Sequence, residues 1–192
     1  MPIVIDSRRR RLAGIVFTTV LAVSASWGQA QVQTKAQPGT RVLQEIRQLM
    51  RQGQSSQALE RADTLIAEQP TDARPRFLKG VILTDLNRTN DAVAVYRKLI
   101  EDFPELPEPY NNLAVLYAQQ REYDKAREAL EAAIRANPSH AIAHENLGDL
   151  YLRFAGQAYD KALQIEKANT GVQKKLVAVR GLLDTAGTST AK

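Results

Sequence analysis

The sequence predicts an all-α fold, a right-handed solenoid of about four antiparallel helix pairs with a C-terminal capping helix. Two sets of residues recur at an interval of 34 positions. The first is a set of prolines, Pro70, Pro104 and Pro138. The second is a set of alanines, Ala58, Ala92 and Ala126. An interval of this size is typical of stacked helix–turn–helix units, each of which contacts only its neighbours.

The helices follow in order from hydrophobic spacing and helix-breaking residues. Leu113, Leu116 and Tyr117 recur at helical spacing, and the next segment carries alanines that let two backbones approach closely. Proline lacks the N–H that a helix interior needs, so the second helix of each pair should end just before it. We expect helices over 40–52, 55–68, 73–86, 89–102, 107–119, 123–136, 141–167 and 170–183.

Three short connections should reverse the chain inside the first three pairs. Gly53 lies in the first, Asn87 with Arg88 in the second, and Gln120 with Arg121 in the third. Gly and Asn accept the left-handed backbone conformation that commonly ends a helix. These positions therefore predict tight turns between antiparallel helices.

The fourth copy lacks its turn. Nine positions separate Tyr117 from Ala126 in the third copy, whereas four separate Tyr151 from Ala155 in the fourth. Gly156 is the only helix breaker nearby, and a lone Gly inside a helix costs only about 1 kcal/mol relative to Ala. We expect one continuous helix across the lost turn; a cramped turn at Gly156 is the alternative.

The ends of the repeat domain, residues 40–183, are predicted from composition. Four apolar residues at helical spacing predict the capping helix, namely Val172, Leu176, Val179 and Leu183. Residues 31–39 are polar and predict a flexible lead-in. Residues 184–192 offer almost nothing to bury, which predicts a disordered tail.

Residues 1–30 resemble a secretory signal peptide. Arg8–Arg11 form a positive segment, Leu12–Val23 form a short apolar segment, and a small-residue cleavage site ends at Ala30. Cleavage after Ala25 and retention as an uncleaved membrane anchor are the alternatives. Twelve apolar residues are fewer than the roughly twenty that span a bilayer. We expect export to the periplasm or cell envelope of a bacterium.

Charge offers little support for nucleic-acid binding. The chain carries 26 basic and 21 acidic residues, but residues 1–30 hold four of the arginines and one aspartate. The remaining 22 basic and 20 acidic residues are interspersed along the chain. A nucleic-acid-binding surface would need a clustered basic stripe. The mixed charges instead predict solvated helix faces with local ion pairs.

The repeated positions resemble the tetratricopeptide repeat (TPR) family, whose motif runs W-x2-L-G-x2-Y, A-x3-F and P. Besides the alanines and prolines, the matching residues are Gly80, Leu113, Tyr117, Leu147, Gly148 and Tyr151. Arg76 and Lys79 replace large apolar residues in the second copy. The resemblance covers about residues 39–168 and implies that the first helix of each pair lines a binding groove.

That geometry assigns a partner-binding groove to twelve positions, of which three lie in the first and weakest copy: Leu43, Arg47 and Met50. The other nine are Phe77, Val81, Asp85, Asn111, Val115, Ala118, Glu145, Asp149 and Leu152. Such a mixed apolar and polar strip suits a polypeptide held by side-chain pockets and amide hydrogen bonds. For each position, plain helix packing or solvation is the alternative.

No motif for chemistry accompanies the groove. The chain has no Cys, which excludes thiol nucleophiles and thiolate metal sites. His140 and His144 have the four-residue spacing of a metal-binding pair, but no third ligand is fixed, so helix packing is the simpler interpretation. Glu101, Asp102, Glu105 and Glu108 form an acidic run at a repeat junction that offers no enclosing pocket. We expect no catalytic residues, no metal and no cofactor.

The sequence thus predicts an exported, non-enzymatic module that binds a protein or peptide partner in its groove. A scaffold or assembly factor of the bacterial envelope fits best. The alternatives are a regulatory or chaperone-like subunit of an envelope enzyme and a self-associating structural element. We expect no nucleic-acid partner, and membrane contact only through an uncleaved amino-terminal segment.

Overall fold

The computed structural model describes residues 38–189, which form eight α-helices. The first six helices are α1 Pro38–Arg51, α2 Ser55–Glu68, α3 Ala73–Asp85, α4 Thr89–Asp102, α5 Pro107–Gln119 and α6 Tyr123–Ala136. The last two are α7 Ala141–Ile165 and α8 Thr170–Ser189. The predicted export segment 1–30, most of the lead-in and residues 190–192 lie outside the described residues. The all-α solenoid is confirmed.

Three-residue turns close the first three helix pairs. The middle residue of each turn has a positive φ, +71° at Gly53, 57° at Asn87 and 62° at Arg121. After each turn an amide N–H bonds back to the preceding helix, as Arg88 N–H does to Leu83 O at 2.9 Å. The predicted turn positions are therefore correct. The second helices end two residues before Pro70, Pro104 and Pro138, as predicted.

Buried side chains form one cluster after another along the solenoid. Ile46, Ala62 and Ile82 belong to a cluster shared by α1, α2 and α3. Leu83, Tyr96 and Leu116 join α3, α4 and α5. A third cluster joins α5, α6 and α7. Each cluster spans neighbouring helices only, as expected for a stacked-repeat protein.

The second copy replaces two apolar packing positions with ion pairs. Arg76 Nη1 lies 2.6 Å from Asp102 Oδ2, which joins α3 to α4. Lys79 Nζ lies 2.7 Å from Asp63 Oδ1 of α2. The long apolar stems of these side chains cover the helix surface while the charged ends reach solvent.

The predicted continuous helix is confirmed, because α7 runs unbroken from Ala141 to Ile165. The α8 helix packs antiparallel against the second half of α7. A Cβ at Gly156 would lie 3.6 Å from Val179 Cγ1, and Arg180 pairs with Asp160 at 2.9 Å. The cramped turn at Gly156 is therefore wrong.

Both ends of the repeat domain extend further than predicted. α1 begins at Pro38, so the lead-in prediction is wrong for residues 38 and 39; proline suits a first helical position, where its missing N–H is not needed. α8 continues to Ser189, so the disordered tail is wrong for residues 184–189. Extending an existing helix adds one hydrogen bond per residue without a new nucleus. No helix within residues 38–189 is long and apolar enough to cross a membrane.

Candidate polypeptide-binding face

The first helices of the pairs, α1, α3, α5 and the first half of α7, form what we call the first-helix face. Its first pocket, of about 310 Å³, is lined by residues from α1, from α3 and from the start of α5. The lining residues are Arg47, Ala73, Arg74, Phe77, Leu106, Glu108 and Pro109. We call this the N-terminal pocket.

Local structure fixes the walls of the N-terminal pocket. The Phe77 ring packs against the Tyr96 ring with centroids 6.0 Å apart, so its position is set by the core. Asp72 caps α3 by accepting the Arg74 N–H at 2.9 Å, and the Arg74 guanidinium pairs with the same carboxylate. The Arg74 side-chain hydrogen bond lowers the pKa of Asp72. Arg47 is exposed and forms no ion pair within residues 38–189, so its charge is available to a ligand.

A second pocket, of about 450 Å³, lies between α5, α6 and α7. We call it the C-terminal pocket. Its apolar lining comes from Ala114, Val115, Ala118, Tyr123, Ala126, Leu130 and Leu150. Its polar lining comes from Gln119, Arg121, Asn146, Asp149 and Arg153. Arg121 and Arg153 are exposed and form no ion pair in the described part of the chain.

A chain of polar side chains links α4, α5 and α7, and one of its members lines the C-terminal pocket. Asn146 Nδ2 donates to Asn111 Oδ1 at 2.8 Å, and Asn111 Nδ2 donates to Asn112 Oδ1 at 3.4 Å. Asn112 Nδ2 in turn donates to the Tyr96 hydroxyl at 3.0 Å. We call these four residues the amide ladder. It connects α7 through α5 to α4, and buried polar groups of this kind are costly to leave unpaired.

One carboxylate of the face lies close to this ladder. Burial raises the pKa of Asp85 and is also the main reason why the pKa of Tyr96 is raised. The charge of Asp85 adds to the effect on Tyr96. Asp85 forms no ion pair within the described residues, so its negative charge is uncompensated. This carboxylate therefore favours a cationic or hydrogen-bond-donating neighbour.

Only some of the predicted groove residues line a pocket. Phe77 lines the N-terminal pocket, and Val115, Ala118 and Asp149 line the C-terminal pocket. Val81, Asp85, Glu145 and Leu152 lie outside both pockets, with Asp85 and Glu145 exposed and Val81 and Leu152 half-buried. In the first copy, Arg47 lines a pocket, while Leu43 is buried in the core and Met50 packs beside it.

The expectation that Asn111 presents an exposed amide is wrong. Asn111 is only 7% exposed, and its amide is used within the ladder. The side-chain amides that line the C-terminal pocket belong to Gln119 and Asn146, and neither residue was among the predicted groove positions. The hydrogen-bond partner of Asn111 is Asn146, 35 residues further along the chain, so the pattern within one repeat does not predict this hydrogen bond. Similarly, Arg121 and Arg153 line the same pocket because of the way in which neighbouring repeats stack.

The two histidines serve the start of α7. His140 Nδ1 accepts the Ala143 N–H at 3.1 Å, and His144 Nε2 lies 3.0 Å from the Pro138 carbonyl oxygen. Within the described residues, no group of three or more His, Asp or Glu side chains is arranged to hold a metal ion. The local contacts account for both side chains as parts of a helix start.

A separate cleft, of about 520 Å³, runs along the second helices α4 and α6 and the adjoining part of α5. Lys125 Nζ lies 5.6 Å from the centre of the Tyr117 ring there, and Glu128 lines the same cleft. We call this surface the second-helix face. It provides an internal comparison for any binding experiment.

Comparison with known proteins agrees with this architecture. The sequence profile of the tetratricopeptide repeat family matches residues 43–107 and 111–168. The small glutamine-rich tetratricopeptide repeat-containing protein 2 of Mycosarcoma maydis is 27% identical over 105 residues, which are 52% of this chain and 30% of that protein. This chain spans less than a third of the length of the curated relatives it matches.

Two solved structures show the same fold. The thermophilic TPR protein TTC0263 of Thermus thermophilus superposes with a TM-score of 0.56 at 21% identity, covering 74% of this chain and 81% of that one. YrrB, a TPR protein with an unusual peptide-binding site, gives a TM-score of 0.52 at 24% identity, covering 57% of each chain. The chain belongs to the tetratricopeptide repeat family of protein–protein interaction modules.

Proposed function

We propose that this protein binds an extended segment of a partner polypeptide along its first-helix face. The observation that carries the proposal is the composition of the two pockets. Each combines apolar walls with an arginine that forms no ion pair within residues 38–189, Arg47 in one and Arg153 in the other. An apolar pocket with a few placed polar groups is the usual form of a specific binding site.

The chemistry of the pockets defines the partner. Apolar side chains of the partner would fill the space beside Phe77 and beside Val115. Carboxylates of the partner would pair with the free arginines, since arginine binds carboxylates through two parallel hydrogen bonds. The Asn146 amide at the C-terminal pocket offers a contact to the partner backbone. We therefore expect a segment in which apolar residues alternate with acidic ones.

The peptide-binding site of YrrB supports a peptide as the class of ligand, because the two proteins share this fold. We propose no catalytic step, cofactor or nucleic-acid partner for the chain.

We also propose that the module works in a bacterial envelope, as a scaffold or assembly factor. The positive segment and short apolar segment within residues 1–30 support this location. Amino-terminal sequencing of the native protein tests it. We expect a mature chain that begins at or near Gln31 in the periplasmic fraction. An intact Pro2 on protein from the cytoplasm would contradict export.

Site-specific photo-cross-linking tests the binding face. A photoreactive amino acid at Val115, which is 38% exposed in the C-terminal pocket, should capture the partner in cell-envelope extracts. The matched control carries the same amino acid at Glu128, which is exposed on the second-helix face. Mass spectrometry of the product identifies the partner segment. Cross-links from Glu128 alone would place binding on the second-helix face and refute the proposal.

A further inference from the structure

The first three helix pairs share a size-matched contact between their two helices. The first-helix positions are 34 residues apart and hold Ile46, Gly80 and Ala114. The second-helix positions follow 16 residues later and hold Ala62, Tyr96 and Leu130. A large residue on one helix thus accompanies a small residue on the other in every pair. Close packing of protein interiors demands such complementary volumes.

The structure shows this contact directly in the second pair. A Cβ built on Gly80 would lie 2.5 Å from Cε1 of the Tyr96 ring, so the ring lies against the backbone of α3. In the other two pairs the matched residues lie in the same buried cluster, Ile46 with Ala62 and Ala114 with Leu130. Only a glycine at position 80 leaves enough space for the Tyr96 ring.

The fourth copy contains the same glycine–tyrosine combination, but the two residues cannot meet within one chain. Gly148 occupies the next position of the 34-residue series, and Tyr159 occupies the second-helix position after the five-residue deletion. Both lie on the continuous helix α7, where 11 residues separate them by roughly 16 Å along the axis. A Cβ on Gly148 would meet nothing within 4 Å. Within the described residues, nothing fills the space beside Gly148.

A neighbouring residue of α7 is also left uncovered by the part of the chain that the structure describes. Tyr151 is 51% exposed, whereas Leu83, which holds the equivalent position two repeats earlier, is 2% exposed. Within residues 38–189, the fourth copy cannot form its own closed helix pair on this side of α7. Each of the three closed pairs uses three residues for its turn. In the fourth copy, Leu152 is equivalent to the first residue of α6 and Arg153 to the last residue of α5. The second helix would therefore have to begin before the first one ends, and no residues remain for a turn.

We propose that a second copy of this chain covers the open side, through antiparallel packing of two α7 helices. The second half of α7 in one copy, with Tyr159, lies against the first half of α7 in the other, at Gly148. The two-fold axis passes between the two α7 helices at the level of Arg153 and Phe154, midway between Gly148 and Tyr159. Each copy supplies the helix that the other lacks, so both open pairs close at once.

The occupant is a second copy because this chain already carries the matching surface. Ala155, Tyr159 and Ala162 have the spacing of Ala92, Tyr96 and Leu99 on the second helix α4. Exchange of identical elements between protomers is a common route to dimers, and a shortened connection favours it. Five of the six large apolar residues that are exposed within residues 38–189 occur from Ile142 onward, in the region of the opened pair and α8.

Sedimentation equilibrium of the purified full chain tests the proposal. We expect twice the chain mass for the wild type. Gly148→Ala should weaken the dimer by roughly tenfold or more, because the added methyl meets the partner's tyrosine ring. The matched control is Gly181→Ala on α8, where a Cβ also meets nothing within 4 Å, and it should leave dimerisation unchanged.

Two further variants distinguish this contact from a general loss of folding. Gly148→Ala combined with Tyr159→Leu copies the Ala114 and Leu130 pair and should restore the dimer. Insertion of a copy of residues 119–123, Gln-Gln-Arg-Glu-Tyr, between Leu152 and Arg153 restores the 34-residue spacing. This variant should be folded by circular dichroism and monomeric by sedimentation equilibrium. A monomeric wild type, or a Gly148→Ala variant that dimerises as the wild type does, would overturn the proposal.

Discussion

The ring of Tyr96 occupies the space that a side chain at Gly80 would need. A Cβ on Gly80 would lie 2.5 Å from Cε1 and 2.6 Å from Cζ of that ring. The hydroxyl group of the same tyrosine accepts a hydrogen bond from Asn112 Nδ2 at 3.0 Å. One buried side chain thus fixes the approach of α3 to α4 and the start of the amide ladder.

Gly80→Ala should destabilise the protein because neither the α3 backbone nor the buried ring can easily move. Overpacking of this kind typically costs about 1–3 kcal/mol. Urea unfolding measures the difference. Gly181→Ala is the control, since the open position gains up to about 1 kcal/mol from helix propensity. Equal stability changes in the two variants would contradict the close contact at Tyr96.

Asn111→Ala should also destabilise the fold, because it leaves Asn146 Nδ2 without its acceptor and Asn112 Oδ1 without its donor. Leaving buried polar groups unpaired costs about 1–3 kcal/mol. The control is Asn90→Ala, at an exposed site on α4, which should change the stability by no more than about 0.5 kcal/mol. Urea unfolding curves for both variants check the prediction. An Asn111 variant as stable as the Asn90 variant would argue against the ladder.

Gln157→Pro should disrupt α7. Gln157 lies in the interior of the 25-residue helix, where proline removes a hydrogen bond and costs about 3 kcal/mol or more. Gln157→Ala at the same exposed site should leave the unfolding temperature nearly unchanged. Thermal unfolding followed by circular dichroism measures both. A proline variant as stable as the alanine variant would favour a break in α7 near Gly156.

Asp85→Asn should stabilise the protein at neutral pH. Burial raises the pKa of Asp85, so the folded state binds a proton more tightly than the unfolded state. The free energy of unfolding therefore falls as the pH rises from the ordinary carboxyl pKa to the raised pKa of Asp85, and it stays lower above that pH. We expect a higher unfolding temperature for the variant at about pH 7 and none of this gain at about pH 3. A gain that persists at the lower pH would exclude the ionised Asp85 carboxylate as its cause.

The local features of the fold could be predicted from the sequence because each depends on nearby residues. Gly53, Asn87 and Arg121 occupy the turns because their backbone conformations are set within a few positions. The continuity of α7 followed from counting residues between Tyr151 and Ala155. The 34-residue period, the three tight turns and the missing turn of the fourth copy all depend on residues that are close in sequence. A sequence pattern is therefore enough to predict them.

The candidate site could be predicted only in part, because it depends on how neighbouring repeats stack. Asn111 shares a helix with the exposed Val115, yet its hydrogen-bond partner Asn146 belongs to the next repeat. A small rotation of α5 decides which of these residues faces the groove. The extension of α8 to Ser189 was missed for a different reason, because residues 184–189 lack the apolar pattern on which helix prediction relies.

Calorimetric titration of the partner segment with three arginine variants tests most directly whether the partner binds on the first-helix face. Arg47→Ala and Arg153→Ala each remove a free charge at a pocket and should each weaken binding by about 1.5–3 kcal/mol, the range for hydrogen bonds to charged groups. Arg127→Ala removes a charge on α6 that is already near Asp124 and Glu131, and should leave the affinity unchanged. A loss of affinity in Arg127→Ala, with wild-type binding by the other two variants, would contradict the account.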